Sequence, residues 1–104
     1  MISQLRVADL RDRDLFAALE AEVFPEDPWT PIMIAEELSS PASRYWIATD
    51  EAGVPIGYGG VKVGADQADV MTIGVRECAR GQGVGAAILD VLLAWASKAG
   101  AVDI

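Results

Sequence analysis

The sequence predicts a single α/β domain, a mostly antiparallel sheet flanked by helices. Three observations lead there. Three β-rich runs, Tyr45 to Thr49, Val54 to Val63 and Ala68 to Val75, are separated by the short turns Asp50-Glu51-Ala52-Gly53 and Gly64-Ala65-Asp66-Gln67, the pattern of an antiparallel meander. Helical segments precede them. The last run leads into the glycine-rich turn Arg80-Gly81-Gln82-Gly83-Val84-Gly85, which opens a long helical segment from Val84 to about Ala99.

The elements can be justified in chain order. Ser3 to Val7 alternates apolar and polar residues and reads as a first strand. Asp9 or Asp12 then caps a helix running to about Phe24, with Leu15, Leu19 and Val23 on one stripe. Pro25-Glu26-Asp27-Pro28 breaks it. Thr30 as N-cap and Pro31 at the first helical position start a second helix, to about Leu38. Ser39 to Ser43 is a loop before the meander. In the long helix, Val84, Ile88, Val91, Leu92, Trp95 and Ala99 form the face expected to pack on the sheet. Ala101-Val102-Asp103-Ile104 reads as the start of a further strand, because a crossover helix normally returns to lay a parallel strand.

Composition bounds the function. At 104 residues the chain holds one domain and buries roughly 60–70% of its extended surface. Its hydrophobic fraction is 52%, but Asp90 and Lys98 interrupt the longest apolar stretch, Gly83 to Ala99, which falls short of the ~18–20 residues a membrane span needs. No basic segment followed by an apolar block opens the chain, so no secretory signal is expected. The formal net charge is −8, from 16 acidic and 8 basic residues, which argues against a nucleic-acid surface and suits a basic or amine-bearing partner. A lone cysteine, Cys78, forms no internal disulfide and fits a reducing, cytoplasmic setting. With no histidine the donor set is poor for zinc, and a Ser/His or Cys/His pair is excluded.

The glycine turn carries the chemistry. A turn entering a helix leaves backbone N–H groups unpaired beside the positive end of the helix dipole, and glycines let that backbone approach a bulky anion. The expected ligand is a pyrophosphate, with Arg80 adding local positive charge. The segment Gly81 to Ala86 also satisfies Gly-x-Gly-x-x-Gly/Ala, with Asp103 roughly 20 residues on, as in dinucleotide folds. The stretch Arg76 to Arg80 between strand and first glycine, and the antiparallel meander upstream, oppose that reading. A structural turn without a ligand is the third alternative. No Gly-Lys-Ser/Thr follows, so a Walker A loop is excluded.

The order of strand, two helices, meander and Arg-x-x-Gly-x-Gly into a helix resembles the GNAT superfamily of acyl-CoA-dependent N-acetyltransferases. The family's coenzyme-A signature, Gln/Arg-x-x-Gly-x-Gly/Ala, is matched by Arg80, Gly83 and Gly85. Phe24-Pro25-Glu26-Asp27-Pro28-Trp29-Thr30 and Ala68-Asp69-Val70-Met71-Thr72-Ile73-Gly74-Val75 resemble one branch, the bacterial ribosomal-protein alanine N-terminal acetyltransferases. The resemblance implies acetyl-CoA as co-substrate, no metal, and transfer of acetyl to an amine. That amine would be the N-terminal α-amine of a protein such as a ribosomal protein, or else a free small amine. It implies that the backbone of Ile73, Gly74 and Val75 lies along the pantetheine arm, on a strand bulged so that it splays from the next, with the Val75 N–H open to the thioester carbonyl. The amides of Gly81, Gln82, Gly83, Val84, Gly85 and Ala86 would cradle the pyrophosphate, with the Arg80 side chain nearby.

The likeness covers nearly the whole chain but only the earlier part of a family domain, so residues 1–104 are expected to be one GNAT domain incomplete at its C-terminus. In the alanine branch the general-base carboxylate sits on the fifth strand and the general-acid tyrosine on the helix after it, both beyond Ile104. Three alternatives follow: an acetyltransferase whose last strands lie outside this chain, a coenzyme-A-binding fragment without turnover, and a fragment whose truncated sheet edge pairs with another copy as a homo-oligomer. Asp69 is the acidic residue considered as a resident base. It precedes Val75 by an even number of positions and hence shares its face in a regular strand. A solvated carboxylate at a strand start is the alternative. Phe24 and Trp29 flank the turn that shapes the acceptor groove in relatives, or simply pack. Glu26 and Asp27 would meet a cationic peptide terminus, or are solvated loop charges. Cys78 is a spacer.

Overall fold

In a computed structural model, described here for residues 2–104, the chain forms one four-stranded antiparallel sheet of order β1-β2-β3-β4 with helices on both faces. The strands are β1 (Gln4–Ala8), β2 (Ser43–Thr49), β3 (Pro55–Gly64) and β4 (Gln67–Val75). The helices are α1 (Arg13–Val23), α2 (Pro31–Ser39) and α3 (Val84–Lys98), with 3-10 turns at Leu10–Asp12 and Glu77–Ala79. No helix among the described residues is long and apolar enough to cross a membrane.

Both aspartates expected to compete for the first cap are used. The Asp9 side chain accepts from the Arg11 N–H and caps the 3-10 turn, while the Asp12 side chain accepts from the Asp9 N–H. Asp12 also takes both terminal nitrogens of Arg6, at 3.0 and 2.7 Å, which pins the turn to β1. Thr30 caps α2 through the Met33 N–H as the sequence indicates, with Pro31 at its first position.

Strands β2 and β3 lie inside the sheet, so their alternation fills two cores. Tyr45, Ile47 and Tyr58 face α1 and α2, where they meet Phe16, Leu19 and Ile34. Trp46, Ala48 and Val61 face α3. The stripe on α1 is rotated from the expected one. Phe16, Leu19 and Glu20 are buried, whereas Leu15 and Val23 are half-buried, because the Phe16 ring packs edge-on against both Tyr45 and Tyr58. On α3 the seam is the i, i+4 row Val84, Ile88, Leu92 and Ala96; Val91 and Trp95 flank it, and Ala99 is exposed beyond the helix end.

Two features of β4 position the site. Gly60 pairs with Thr72 but Val61 with Val70, so Met71 is an extra residue in the ladder, a β-bulge. Gly74 pairs with Tyr58, and a Cβ at Gly74 would collide with the Tyr58 ring and hydroxyl. The segment expected to begin a further strand makes a single parallel bridge, Asp103 to Gln67, with the Ala68 N–H donating to the Asp103 carbonyl at 2.8 Å.

Gly74→Ala is therefore expected to cost about 1–3 kcal/mol in denaturant unfolding. Gly64→Ala, where nothing lies within 4 Å of the added methyl, should stay within about 0.5 kcal/mol of wild type. The Arg6 hydrogen bond holds the Asp12 carboxyl below its ordinary pKa. Its contribution is thus present above the unfolded-state value of about 4 and is lost as pH falls through the lower folded value. Unfolding measured between about pH 6 and pH 2 should show Arg6→Gln less stable than wild type at the upper end, with the difference shrinking in acid.

Candidate active site

The glycine turn folds as an outward-facing cradle at the head of α3. Gly81 and Gly83 both take φ +79°, the left-handed region that side chains resist. The first helical bond runs from the Ala87 N–H to the Gly83 carbonyl at 3.0 Å, so the amides of Val84, Gly85 and Ala86 precede the intrahelical ladder. Gly81, Gln82, Gly83 and Ala86 are exposed, Gly85 is half-buried and the Val84 side chain is buried against the sheet. No side chain caps the helix.

The end of β4 lies beside this cradle. A Cβ on Gly85 would sit 3.6 Å from Val75 Cγ2. The Arg76 N–H donates to the Ile56 carbonyl at 2.9 Å, in register with the Gly57 to Val75 pair. Antiparallel alternation then turns the N–H and carbonyl groups of Val75 and Ile73 away from β3, toward the open edge of the sheet. The Val75 carbonyl is met there by Arg80 Nε at 3.2 Å, which holds the guanidinium against the strand end. Beyond the bridge at Gln67, β4 has no neighbouring strand on that edge among the described residues.

Asp69 is corrected by the bulge. The extra residue at Met71 reverses the alternation, so Asp69 pairs with Lys62, whose ammonium lies 3.4 Å from Glu37 on α2. Val75 faces α3 instead. Even spacing does not bring the two side chains to one face, and Asp69 is exposed.

The Phe24-to-Thr30 segment joins α1 to α2. Val23, Phe24, Pro25, Glu26 and Asp27 line an open cleft of about 510 Å³, with Phe24, Glu26 and Asp27 exposed. Trp29 is half-buried, its ring edge-on to Tyr45 at 6.3 Å. Arg76 ties the end of β4 to α1, with Nε 2.7 Å from Glu22 Oε2. Two residues the sequence reading passed over, Glu20 and Tyr58, meet where α1 packs on the sheet. Glu20 is only 2% exposed and accepts the Tyr58 hydroxyl at 2.5 Å and the Trp29 N–H at 3.4 Å. Burial, and then the Glu20 carboxylate, push the Tyr58 phenol well above the ordinary tyrosine range, so it stays protonated and donates. Glu20 was legible as a carboxylate spaced i+4 from Phe16. Cys78 is exposed on the 3-10 turn between β4 and the cradle.

The antiparallel pairing of β3 with β4 removes the dinucleotide alternative, which needs parallel strands around its glycine turn. An antiparallel meander with one open edge, closed by a glycine turn at the head of a crossover helix, is the acyl-CoA N-acyltransferase class of fold. The chain belongs to the Acetyltransferase (GNAT) family, whose profile matches residues 6–104. It is similar to the N-alpha-acetyltransferase RimI of Mycobacterium tuberculosis, 36% identical over 90 residues that cover 82% of this chain and 56% of that protein. The chain thus spans little more than half the length of that relative. Among solved structures, the ribosomal-protein-alanine N-acetyltransferase of Brucella melitensis superposes with a TM-score of 0.77 at 22% identity, over 96% of this chain and 76% of that one. The ribosomal-protein-S18-alanine N-acetyltransferase of Escherichia coli gives 0.77 at 20%, over 93% and 62%. AAC(6')-Iy in complex with the bisubstrate analogue CoA-S-monomethyl-acetylneamine gives 0.79 at 20%, over 96% and 75%. At these identities the likeness is one of fold.

Gly83→Ala is expected to destabilise by about 1–2 kcal/mol, because a side chain must take the left-handed conformation. Gly85→Ala should cost less, its methyl meeting only Val75 at ordinary contact distance. Chemical denaturation of the two variants checks the order.

Proposed function

We propose that this chain binds acetyl-CoA and presents its thioester to an amine, the α-amine of a protein N-terminus. The observation that carries the reading is the exposed cradle at Gly81–Ala86 set directly beside the open edge of β4. The amides of Gly81, Gln82, Gly83, Val84, Gly85 and Ala86 take the pyrophosphate, at the positive end of α3. Arg80 supplies positive charge in a chain of net charge −8. The pantetheine arm runs along Ile73, Gly74 and Val75, pairing with edge groups that β3 leaves unused.

Transfer is direct. The neutral amine attacks the thioester carbon, the carbon–sulfur bond breaks, and coenzyme A leaves as the thiol after the nitrogen gives up a proton. The Val75 N–H is the donor proposed for the developing oxyanion. Holding thioester and amine together supplies much of the acceleration. The cleft lined by Phe24, Glu26 and Asp27 is proposed as the acceptor's approach, its carboxylates suiting a cationic terminus. The 36% identity to a protein named N-alpha-acetyltransferase RimI favours a protein terminus. A small amine is the competing acceptor, since AAC(6')-Iy shares the fold and is complexed with an acetylneamine conjugate. The resemblance puts the family's general base and acid on a fifth strand and the helix after it, elements not found among the described residues. Binding and positioning, rather than proton transfer, are what this chain is proposed to supply.

Titration calorimetry with coenzyme A, paired with thiol release from acetyl-CoA plus an Ala-initiated peptide or a small amine, tests this. Binding with peptide-dependent release supports the full reading; binding without release restricts it to the cofactor half. Absence of binding at millimolar coenzyme A ends it. Arg80→Ala should weaken coenzyme A about tenfold without changing the fold.

A further inference from the structure

A second cavity opens on the α1–α2 side of the sheet, between α2 and β4, and the transfer chemistry proposed above leaves it unused. It holds about 310 Å³ and is lined by Trp29, Met33, Glu36, Glu37 and Met71. That volume lies at the small end of the range for ligand sites, enough for one long side chain rather than a cofactor. The bulge supplies part of the lining. Met71, the extra residue of the ladder, packs with the cluster of Tyr45, Ile47 and Ile34. Trp29 supplies another part, its ring T-shaped against Tyr45 with centroids 6.3 Å apart.

The charged part of the lining is acidic. Glu37 is held in place: its Oε1 accepts the Tyr45 hydroxyl at 2.7 Å and the Ser43 hydroxyl at 3.2 Å, and its Oε2 lies 3.4 Å from Lys62 Nζ. Lys62 also has Asp69 as its partner in the ladder. Glu36 is exposed and makes no ion pair among the described residues. An aromatic ring, two thioethers and an uncompensated carboxylate fit a side chain that is apolar along its stem and positive at its tip.

The position suits an acceptor. The Val23–Asp27 cleft lies at the end of α1, where Arg76 binds Glu22, and Met71 lines the second cavity upstream on the same strand. An extended peptide rises about 3.3 Å per residue, so a terminus held near Val75 carries one of its next few side chains past Met71. We propose that this cavity is a specificity site for a basic side chain, arginine or lysine, lying within a few positions of the acceptor's terminal amine. Its tip meets Glu36, and its stem lies among Met33, Met71 and Trp29. The inference rests on the protein-terminus reading of the preceding subsection and narrows the substrate class.

The test measures peptide binding to the full chain saturated with coenzyme A. Ala-initiated peptides carry a single arginine at the second, third, fourth or fifth position, or citrulline, its uncharged isostere, at the same place. At one position the arginine peptide is expected to bind about 5-fold tighter than its citrulline twin. Glu36→Gln should bring that ratio below about 2-fold, and Glu36→Lys should invert it. Thermal melting shows that each variant is folded, and its coenzyme A affinity should stay within about 2-fold of wild type. Glu51→Gln removes an exposed carboxylate from the turn between β2 and β3 and should leave the ratio as it is. A ratio that falls equally there reports only the attraction of an acidic chain and overturns the site. Equal affinity for the arginine and citrulline peptides at every position, with coenzyme A bound, overturns the site while the acetyl-CoA reading stands. A preference that survives Glu36→Lys overturns it as well. Absence of coenzyme A binding overturns both.

Discussion

The contact on which the rest depends is the seating of α3 on the sheet. Val84 and Ile88 lie against Gly57, and Ile88 against Gly59, where any side chain on β3 would push the helix outward. Because those strand positions are bare, the first turn of α3 comes level with the end of β4, and Gly85 stands next to Val75. The proposed function depends on this placement, which sets the glycine turn beside a strand edge whose Ile73 and Val75 N–H groups β3 leaves unused. The seam Val84, Ile88, Leu92 and Ala96 continues that contact down the helix and makes the placement rigid.

Charge is arranged against the background of an acidic chain. Of its few cations, Arg76 is spent on Glu22 and Arg6 on Asp12, both tying elements together. Arg80 is different: it donates to a backbone carbonyl, Val75 O, and makes no ion pair with a carboxylate among the described residues. The carboxylates that matter for architecture are inside. Glu20 receives Tyr58, and Glu37 receives Tyr45 at 2.7 Å, each at the junction of a helix and the sheet. Those paired tyrosines let α1 and α2 sit on a face that already buries Phe16, Ile34 and Ile47.

What the residues disclosed in advance was local. Thr30-Pro31 specifies its own cap, and the glycine turn needs only its neighbours to adopt left-handed backbone, so both were readable directly. The meander was legible because turn chemistry and alternation agree. Register was not. The resemblance implies a bulge on this strand, but the residues from Asp69 to Val75 do not show where it falls, and their pairing with Val61 and Gly60 places it at Met71. The stripe on α1 failed for a related reason. Counting leucines ignores what the sheet offers, and two buried tyrosines draw Phe16 and Glu20 inward at the expense of Leu15.

The supernumerary methionine has a bearing on how this strand can change over time. Deleting Met71 would restore an even pleat and leave Val70, Asp69 and Ala68 opposite Val61, Lys62 and Val63, so Ala68 would keep its place against the α3 core and Asp69 its exposed face. The strand thus carries one residue of slack upstream of Thr72, where flattening the bulge absorbs a single deletion. Between Thr72 and Val75 there is no such slack, and a residue lost or gained would transpose side chains between the faces. Length is tolerant on one side of the supernumerary methionine and fixed on the other.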